Sequence, residues 1–143
     1  SLVLADDTFV HQLNYKYRGK DMPTNVLSKY IVNKWECIVS DSDVFEAESS
    51  IEHIMDENIE QAETMLIGNL LLLEQRVNSN IPNRLSLGDK KNYYSESKYN
   101  SVKSFIQLYD STSEWTDADI LNRCEVWGEE LYNNLVEIVN GIA

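Results

Sequence analysis

The chain has 143 residues, 43% of them hydrophobic and 25% charged, a size and composition that suit one globular domain with a sizeable core. Its formal net charge of −12 at pH 7 is unfavourable for binding nucleic acid, because phosphate contacts require lysine and arginine. No apolar run approaches the roughly 18 residues of a membrane-spanning helix, and no secretory signal is visible, so we expect a cytoplasmic protein that does not contact a membrane.

The charges are segregated along the chain. Residues 41–63 carry nine acids and no lysine or arginine, and residues 110–137 carry eight acids and one arginine. Between them, residues 74–103 hold six basic residues against three acids. A solvated surface of mixed charge is the usual explanation of such runs. The basic stretch also lies just downstream of residues 49–58, which contain His53.

The first predicted element is a helix over residues 24–39, capped by Thr24. An acidic loop follows, and the alternation of SSIEHIM at 49–55 predicts a short strand. Gly68 before an apolar run predicts a turn that leads into a second strand. A short helix can then start near Gln75.

Residues 97–140 predict further helices, and Thr116 or Asp117 caps the longest of them. The predicted fold class is therefore α+β, with two short antiparallel strands and a helix (about 49–92) embedded in a mainly helical domain. We expect one domain over 1–143. Because the chain does not begin with methionine, we also expect a fragment of a longer protein.

The two cysteines, Cys37 and Cys124, stand far apart, and each falls in a helix-like segment. Nothing resembles a CxxC pair, which argues against a structural zinc site. A disulfide stays open as an alternative, but two buried thiols are the expectation for a cytosolic protein.

A series of short motifs carries the functional signal. They are, in chain order, Glu52-His53-Ile54, Gly68-Asn69-Leu70 with three more leucines, Asn78 and Asn80, Lys90-Lys91 with Tyr93, Tyr94 and Ser97, and then Trp115, Ile120 and Arg123. In this order and spacing the chain resembles the C-terminal HNH (His-Me finger, ββα-metal) domain of GmrSD-type restriction endonucleases, over roughly residues 24–140.

The resemblance implies a metal-dependent endonuclease that hydrolyses DNA phosphodiester bonds as part of a prokaryotic restriction system against phage. In that chemistry a neutral imidazole takes the proton of the attacking water, which would be the role of His53 as general base. Glu52 and Asn78 would hold a divalent ion, Mg²⁺ or alternatively Mn²⁺, through oxygen ligands. Asn69 would tie the loop between the strands and orient the base.

By the same resemblance, Arg84, Lys90 and Lys91 are candidates for contacts with the DNA backbone. An upstream ParB-like, nucleotide-dependent domain would supply the DNA affinity that the acidic chain lacks. Nothing in these 143 residues matches such a domain.

One departure and several alternatives stay open. The family commonly has Pro-Gln shortly after the His-Ile step, where this chain has Met55, Asp56 and Glu57, and extra acids there repel a phosphate unless one helps hold metal. A degenerate finger that no longer cuts, acting as a protein-interaction or regulatory module, is the main alternative. A plain helical domain with a coincidental motif is another. Arg123 could pair with an acid or brace the loop, and His11 is expected on the surface.

Overall fold

The computed structural model describes residues 21–56 and 62–142, so His11 and Glu57 lie outside the described residues. Within these ranges the chain is mainly helical with one two-stranded antiparallel sheet, which confirms the α+β prediction. In chain order the elements are α1 (Asp21–Ser40), β1 (Ser49–His53), two 3₁₀ turns (Ala62–Met65 and Ile67–Asn69), β2 (Leu70–Glu74), α2 (Gln75–Asn78), α3 (Leu87–Tyr94), α4 (Asn100–Leu108) and α5 (Asp117–Ile142).

The two strands pair antiparallel, in a register that runs from Ser49 opposite Glu74 to His53 opposite Leu70. A two-stranded ribbon is marginal by itself, so its stability depends on what covers it. Helices α1, α2 and α4 pack against β2, and the four leucines at 70–73 are all buried. Burying each of them contributes roughly 1.5–3 kcal/mol, which explains why an uninterrupted apolar run is required here.

Arg123 connects the long helix α5 to the start of β2. Its guanidinium lies between the rings of Phe105 and Trp127, 4.9 and 4.5 Å from their centroids. Burial lowers the pKa of Arg123 to about 10. Its Nη1 donates to the carbonyl oxygens of Gly68 at 2.9 Å and Leu70 at 2.7 Å. Arg123 therefore braces the entry to β2, which was one of the two alternatives for it.

The start of α5 follows the predicted cap. The Thr116 hydroxyl accepts from the backbone N–H of Asp119, and the Asp119 carboxylate accepts from the backbone N–H of Thr116 at 2.9 Å. This reciprocal pair satisfies N–H groups that the first turn of a helix leaves without partners.

Cys37 and Cys124 are both buried and form no disulfide with each other, which confirms the expectation of two buried thiols. The sulfur of Cys124 accepts a hydrogen bond from the backbone N–H of Gly68 at 3.2 Å. Within the described ranges, no helix combines the length and the apolarity that crossing a bilayer demands.

Gly68 offers a test of how closely the turn before β2 packs on α5. A Cβ atom there would collide with the carbonyl oxygen of Ile120 and lie 2.8 Å from the sulfur of Cys124. We predict that Gly68→Ala lowers the free energy of unfolding by about 1–3 kcal/mol or more, because backbone must move to admit the methyl group. Urea denaturation measures this.

The matched control is Gly141→Ala, where a Cβ atom would meet nothing within 4 Å. Alanine is favoured over glycine in a helix by about 1 kcal/mol, so the control should be as stable as the wild type or slightly more stable. Equal stability of the two variants would contradict the close approach at Gly68.

Candidate active site

The end of β1, helix α2, the loop after it and helix α3 enclose a cleft of about 200 Å³. Four residues predicted from the sequence to form the site line it together, although they come from three different elements. The lining residues are Ile51, Glu52, His53, Asp56, Asn78, Ile81, Pro82, Asn83 and Lys90.

His53 is the last residue of β1, and its side chain is half-buried at the cleft. Consecutive residues of a strand point to opposite faces, so Glu52 and His53 can share one site only where the strand stops. The strand does stop at His53, and both residues line the same cleft.

Glu52 is a buried carboxylate, 7% exposed. Its Oε1 accepts from Lys90 Nζ at 2.7 Å and from the Tyr94 hydroxyl at 2.8 Å. Burial, and after it the charge of Glu52, raise the pKa of Tyr94 well above its ordinary value, so this hydroxyl stays protonated and donates. Two donors on one oxygen fix the carboxylate beside the cleft and compensate its burial.

Lys90 corrects an expectation. Lys90 was predicted to contact a DNA backbone, but the residue is 4% exposed and its ammonium lies inside the protein. Besides its bond to Glu52, Nζ donates to the backbone oxygen of His53 at 2.7 Å. Charge patterning cannot show this, because a lysine stem long enough to reach solvent also reaches from α3 to β1.

Lys91 also has its ammonium engaged within the chain. Nζ donates to the carbonyl oxygens of Tyr109, Asp110 and Thr112, at 3.0 Å for Asp110 and 2.6 Å for Thr112. These carbonyls follow the end of α4, where a helix leaves acceptors without partners. Lys91 therefore closes the turn after α4, which is a different role from the predicted backbone contact.

Asn69 is fully buried and bridges the chain after β1 to the chain before β2. Its Oδ1 accepts from the backbone N–H of Met55 at 2.7 Å, while Nδ2 donates to the backbone oxygens of Met55 at 2.8 Å and Thr64 at 2.9 Å. Its own backbone oxygen accepts from the N–H of Ile54 at 2.9 Å. Asn69 thus holds both residues after His53, Ile54 through its backbone oxygen and Met55 through its side chain.

Asn78 faces β1 from helix α2. Its Nδ2 donates to the backbone oxygen of Ile51 and to the hydroxyl of Ser50, both at 3.0 Å. A peptide oxygen can only accept, so the amide nitrogen must face the strand and the carboxamide oxygen points away from it. Since Asn78 lines the cleft, this oxygen is a candidate ligand there.

The donors at the cleft suit a hard divalent ion. Glu52, Asp56 and Asn78 supply carboxylate and amide oxygens, and Mg²⁺ binds through few protein oxygens because it retains several waters. No cluster of three or more histidine, cysteine or acidic side chains arranged for a metal occurs among residues 21–56 and 62–142. The cleft therefore suits a divalent ion that keeps part of its water shell. One of its carboxylates, Glu52, is already hydrogen-bonded to Lys90.

Arg84 is exposed and lies beside the cleft, on a backbone with a φ of 61°. Its N–H donates to Oδ2 of Asp56 at 3.0 Å, which holds this left-handed conformation in place. Both residues also line a neighbouring cavity of about 470 Å³. Asp56 stood out in the sequence only as a departure from the family, and its role as an anchor for Arg84 was missed.

Tyr94 was also missed as a site residue. Its spacing from Lys90 was the available signal, because residues i and i+4 share one helix face and the two donate to the same oxygen of Glu52.

Comparison with known proteins agrees with the geometry. The sequence profile of the family described as GmrSD restriction endonucleases, C-terminal domain, matches residues 6–126. No solved structure matches the chain significantly.

Shorter stretches resemble the endoribonuclease YbeY. The identity is 56% over 34 residues in Neorickettsia sennetsu, which is 24% of each chain. It is 36% over 77 residues in Magnetococcus marinus, which is 54% of this chain and 42% of that enzyme. The chain thus spans less than half the length of these curated relatives.

Asn69 is predicted to be the residue on which the loop between the strands depends. Asn69→Ala removes three hydrogen bonds and leaves buried backbone groups of Met55 and Thr64 without these partners, each costing roughly 1–3 kcal/mol. We expect the free energy of unfolding to fall by more than about 2 kcal/mol in urea denaturation. The exposed Asn80 provides the control, and Asn80→Ala should change stability little. A similar loss in both variants would refute the bridge.

Proposed function

The chain belongs to the C-terminal domain family of GmrSD restriction endonucleases, and on this premise we propose that it is the nuclease part of a restriction endonuclease and hydrolyses DNA phosphodiester bonds by an HNH-type, metal-dependent mechanism. The observation that carries the proposal is the convergence of His53, Glu52 and Asn78 on one cleft. The family profile supports a nuclease, and the cleft supports the division of roles among these residues.

In the proposed mechanism His53 takes the proton of the attacking water, because imidazole is the side chain whose ordinary titration lies near neutral pH. Glu52 and Asn78 would hold Mg²⁺ or Mn²⁺ through their oxygens. When bound, such an ion supplies positive charge to the scissile phosphate and the leaving 3′ oxygen. Asn69 keeps the backbone directly after His53 rigid, so the ring does not have to be ordered at the moment of reaction.

Arg84 is the residue proposed to contact the DNA backbone, because the ammonium groups of Lys90 and Lys91 are hydrogen-bonded within the chain. Arg84 is exposed, and its position next to Asp56 puts it at the edge of the cleft. One arginine does not offset a net charge of −12. We therefore propose that a further domain, ParB-like and nucleotide-dependent, supplies most of the affinity for DNA.

A non-cleaving finger remains the competing hypothesis, and one observation favours it. The carboxylate proposed as metal ligand is already bonded to an ammonium group at 2.7 Å. A finger that has lost its metal would keep such a pair as structure. The cleavage test below decides between the two.

The first test is plasmid nicking at low salt in Mg²⁺, Mn²⁺ or EDTA. We predict that the wild type nicks with metal and stops in EDTA. His53→Ala should lower the rate by about 10²–10⁴-fold, the usual contribution of a general base. Circular dichroism must show both proteins folded. A His53→Ala variant as active as the wild type would eliminate His53 as the base, and a folded wild type that does not nick even when the ParB-like domain is present would favour the non-cleaving finger.

The second test concerns Arg84. Arg84→Gly removes the guanidinium while glycine accepts a φ of 61° without strain, so the fold should be unaffected. We predict weaker DNA binding and a slope of log K against log salt that is smaller by about 1. Arg76→Ala is the control, since Arg76 is exposed and only 3.8 Å from Glu96 in a surface pair. An equal loss of binding in both variants would deny Arg84 a specific role.

A further inference from the structure

We propose that Lys90 is a built-in counter-cation of Glu52, which holds the carboxylate and the His53 backbone in position until a divalent ion binds at the same carboxylate. The inference rests on the metal site of the proposed function and adds a positioning residue to it.

The geometry places Lys90 at the junction of the two residues that the chemistry needs. Its Nζ lies 2.7 Å from Oε1 of Glu52 and 2.7 Å from the backbone oxygen of His53. The side chains of Lys90 and Glu52 are 5% and 9% exposed. A carboxylate that is buried to this extent is strongly destabilising unless a charge compensates it, and removing one partner of such a pair leaves the other uncompensated.

The chain contains a second buried cation that shows what a purely structural one looks like. Arg123 is held between two aromatic rings and donates to the backbone oxygens of Gly68 and Leu70, where the chain enters β2. Lys90 differs in lining the cleft and in donating to a carboxylate. An ammonium group is a point charge on a flexible four-carbon stem, so it can withdraw from an oxygen without disturbing the helix that carries it.

The positive charge of Lys90 distinguishes the proposed role from a purely structural one. An ammonium group within hydrogen-bond distance of Glu52 repels an arriving divalent ion and competes for Oε1. Tyr94 donates to the same oxygen and carries no charge, so it orients the carboxylate without repelling the ion. Removing the Lys90 ammonium should therefore tighten metal binding and slow cleavage, whereas a purely structural residue would weaken both.

The first measurement is made without metal. Urea unfolding of Lys90→Met, Glu52→Gln and the double variant forms a cycle. We expect Lys90→Met to be strongly destabilising and Glu52→Gln to relieve part of the loss, with a coupling of at least about tenfold in the unfolding constant. Lys91→Met is the matched control, because Lys91 donates to three carbonyls and to no carboxylate. It should be destabilising and additive with Glu52→Gln.

The second measurement is binding of Mn²⁺ alone, without DNA, followed by electron paramagnetic resonance. Lys90→Met is expected to bind Mn²⁺ about 3- to 10-fold more tightly than the wild type. Lys90→Arg retains the charge and should match the wild type, and so should Lys91→Met. At saturating Mn²⁺, Lys90→Met should nick DNA at least about tenfold more slowly, because the carboxylate and the His53 backbone are no longer held.

Additive stabilities for Lys90→Met and Glu52→Gln, or Mn²⁺ binding that is unchanged or weaker in Lys90→Met, would overturn the inference alone. A wild type whose Mn²⁺ binding is absent, or is unaffected by Glu52→Gln, would contradict the metal site of the proposed function and the exchange with it. Thermal unfolding with and without Mn²⁺ separates these cases in variants that stay folded, since a ligand that binds only the native state raises the melting temperature.

Discussion

The hydrogen bonds of Arg123 to the chain entering β2 are the interaction on which the rest of the structure depends. They hold the carbonyls of Gly68 and Leu70 against α5, and Leu70 is the residue that pairs with His53 across the sheet. The register then decides which residues of β1 reach the cleft, because a slip of one residue would exchange the two faces of the strand. A buried cation on α5 thus helps to set which residues of β1 line the cleft.

Much of this architecture could be predicted from the sequence. The alternation at SSIEHIM, Gly68 before a leucine run and the Thr116 cap each have one local physical cause, and the two strands and the start of α5 followed from them. These features depend on neighbours close in the chain, which periodicity and capping describe well. The role expected of Asn69 came instead from the resemblance to the GmrSD family, and its side chain does bridge the chain after β1 to the chain before β2.

The lysines show where such reasoning stops. Lys90 and Lys91 stand in a basic stretch and looked like a single patch, but adjacent residues on a helix point in directions about 100° apart. Lys90 reaches β1 and Lys91 reaches the turn after α4, so their partners come from distant parts of the chain. The conformation of Arg84 was harder to predict, because its left-handed backbone is held by the side chain of Asp56, which is distant in the sequence. Contacts at long sequence separation leave no periodic trace, and long flexible side chains are the ones that make them.

Helix α3 has a consequence for how distant parts of the domain influence one another. Lys90 and Tyr94 attach it to the strand that carries the carboxylate, and Lys91 attaches it to the turn that joins α4 to α5. A helix of eight residues is short and stiff, so it works as a mechanical crosslink between these two places. We therefore expect that a substitution which displaces the turn at residues 109–112 also shifts the carboxylate of Glu52.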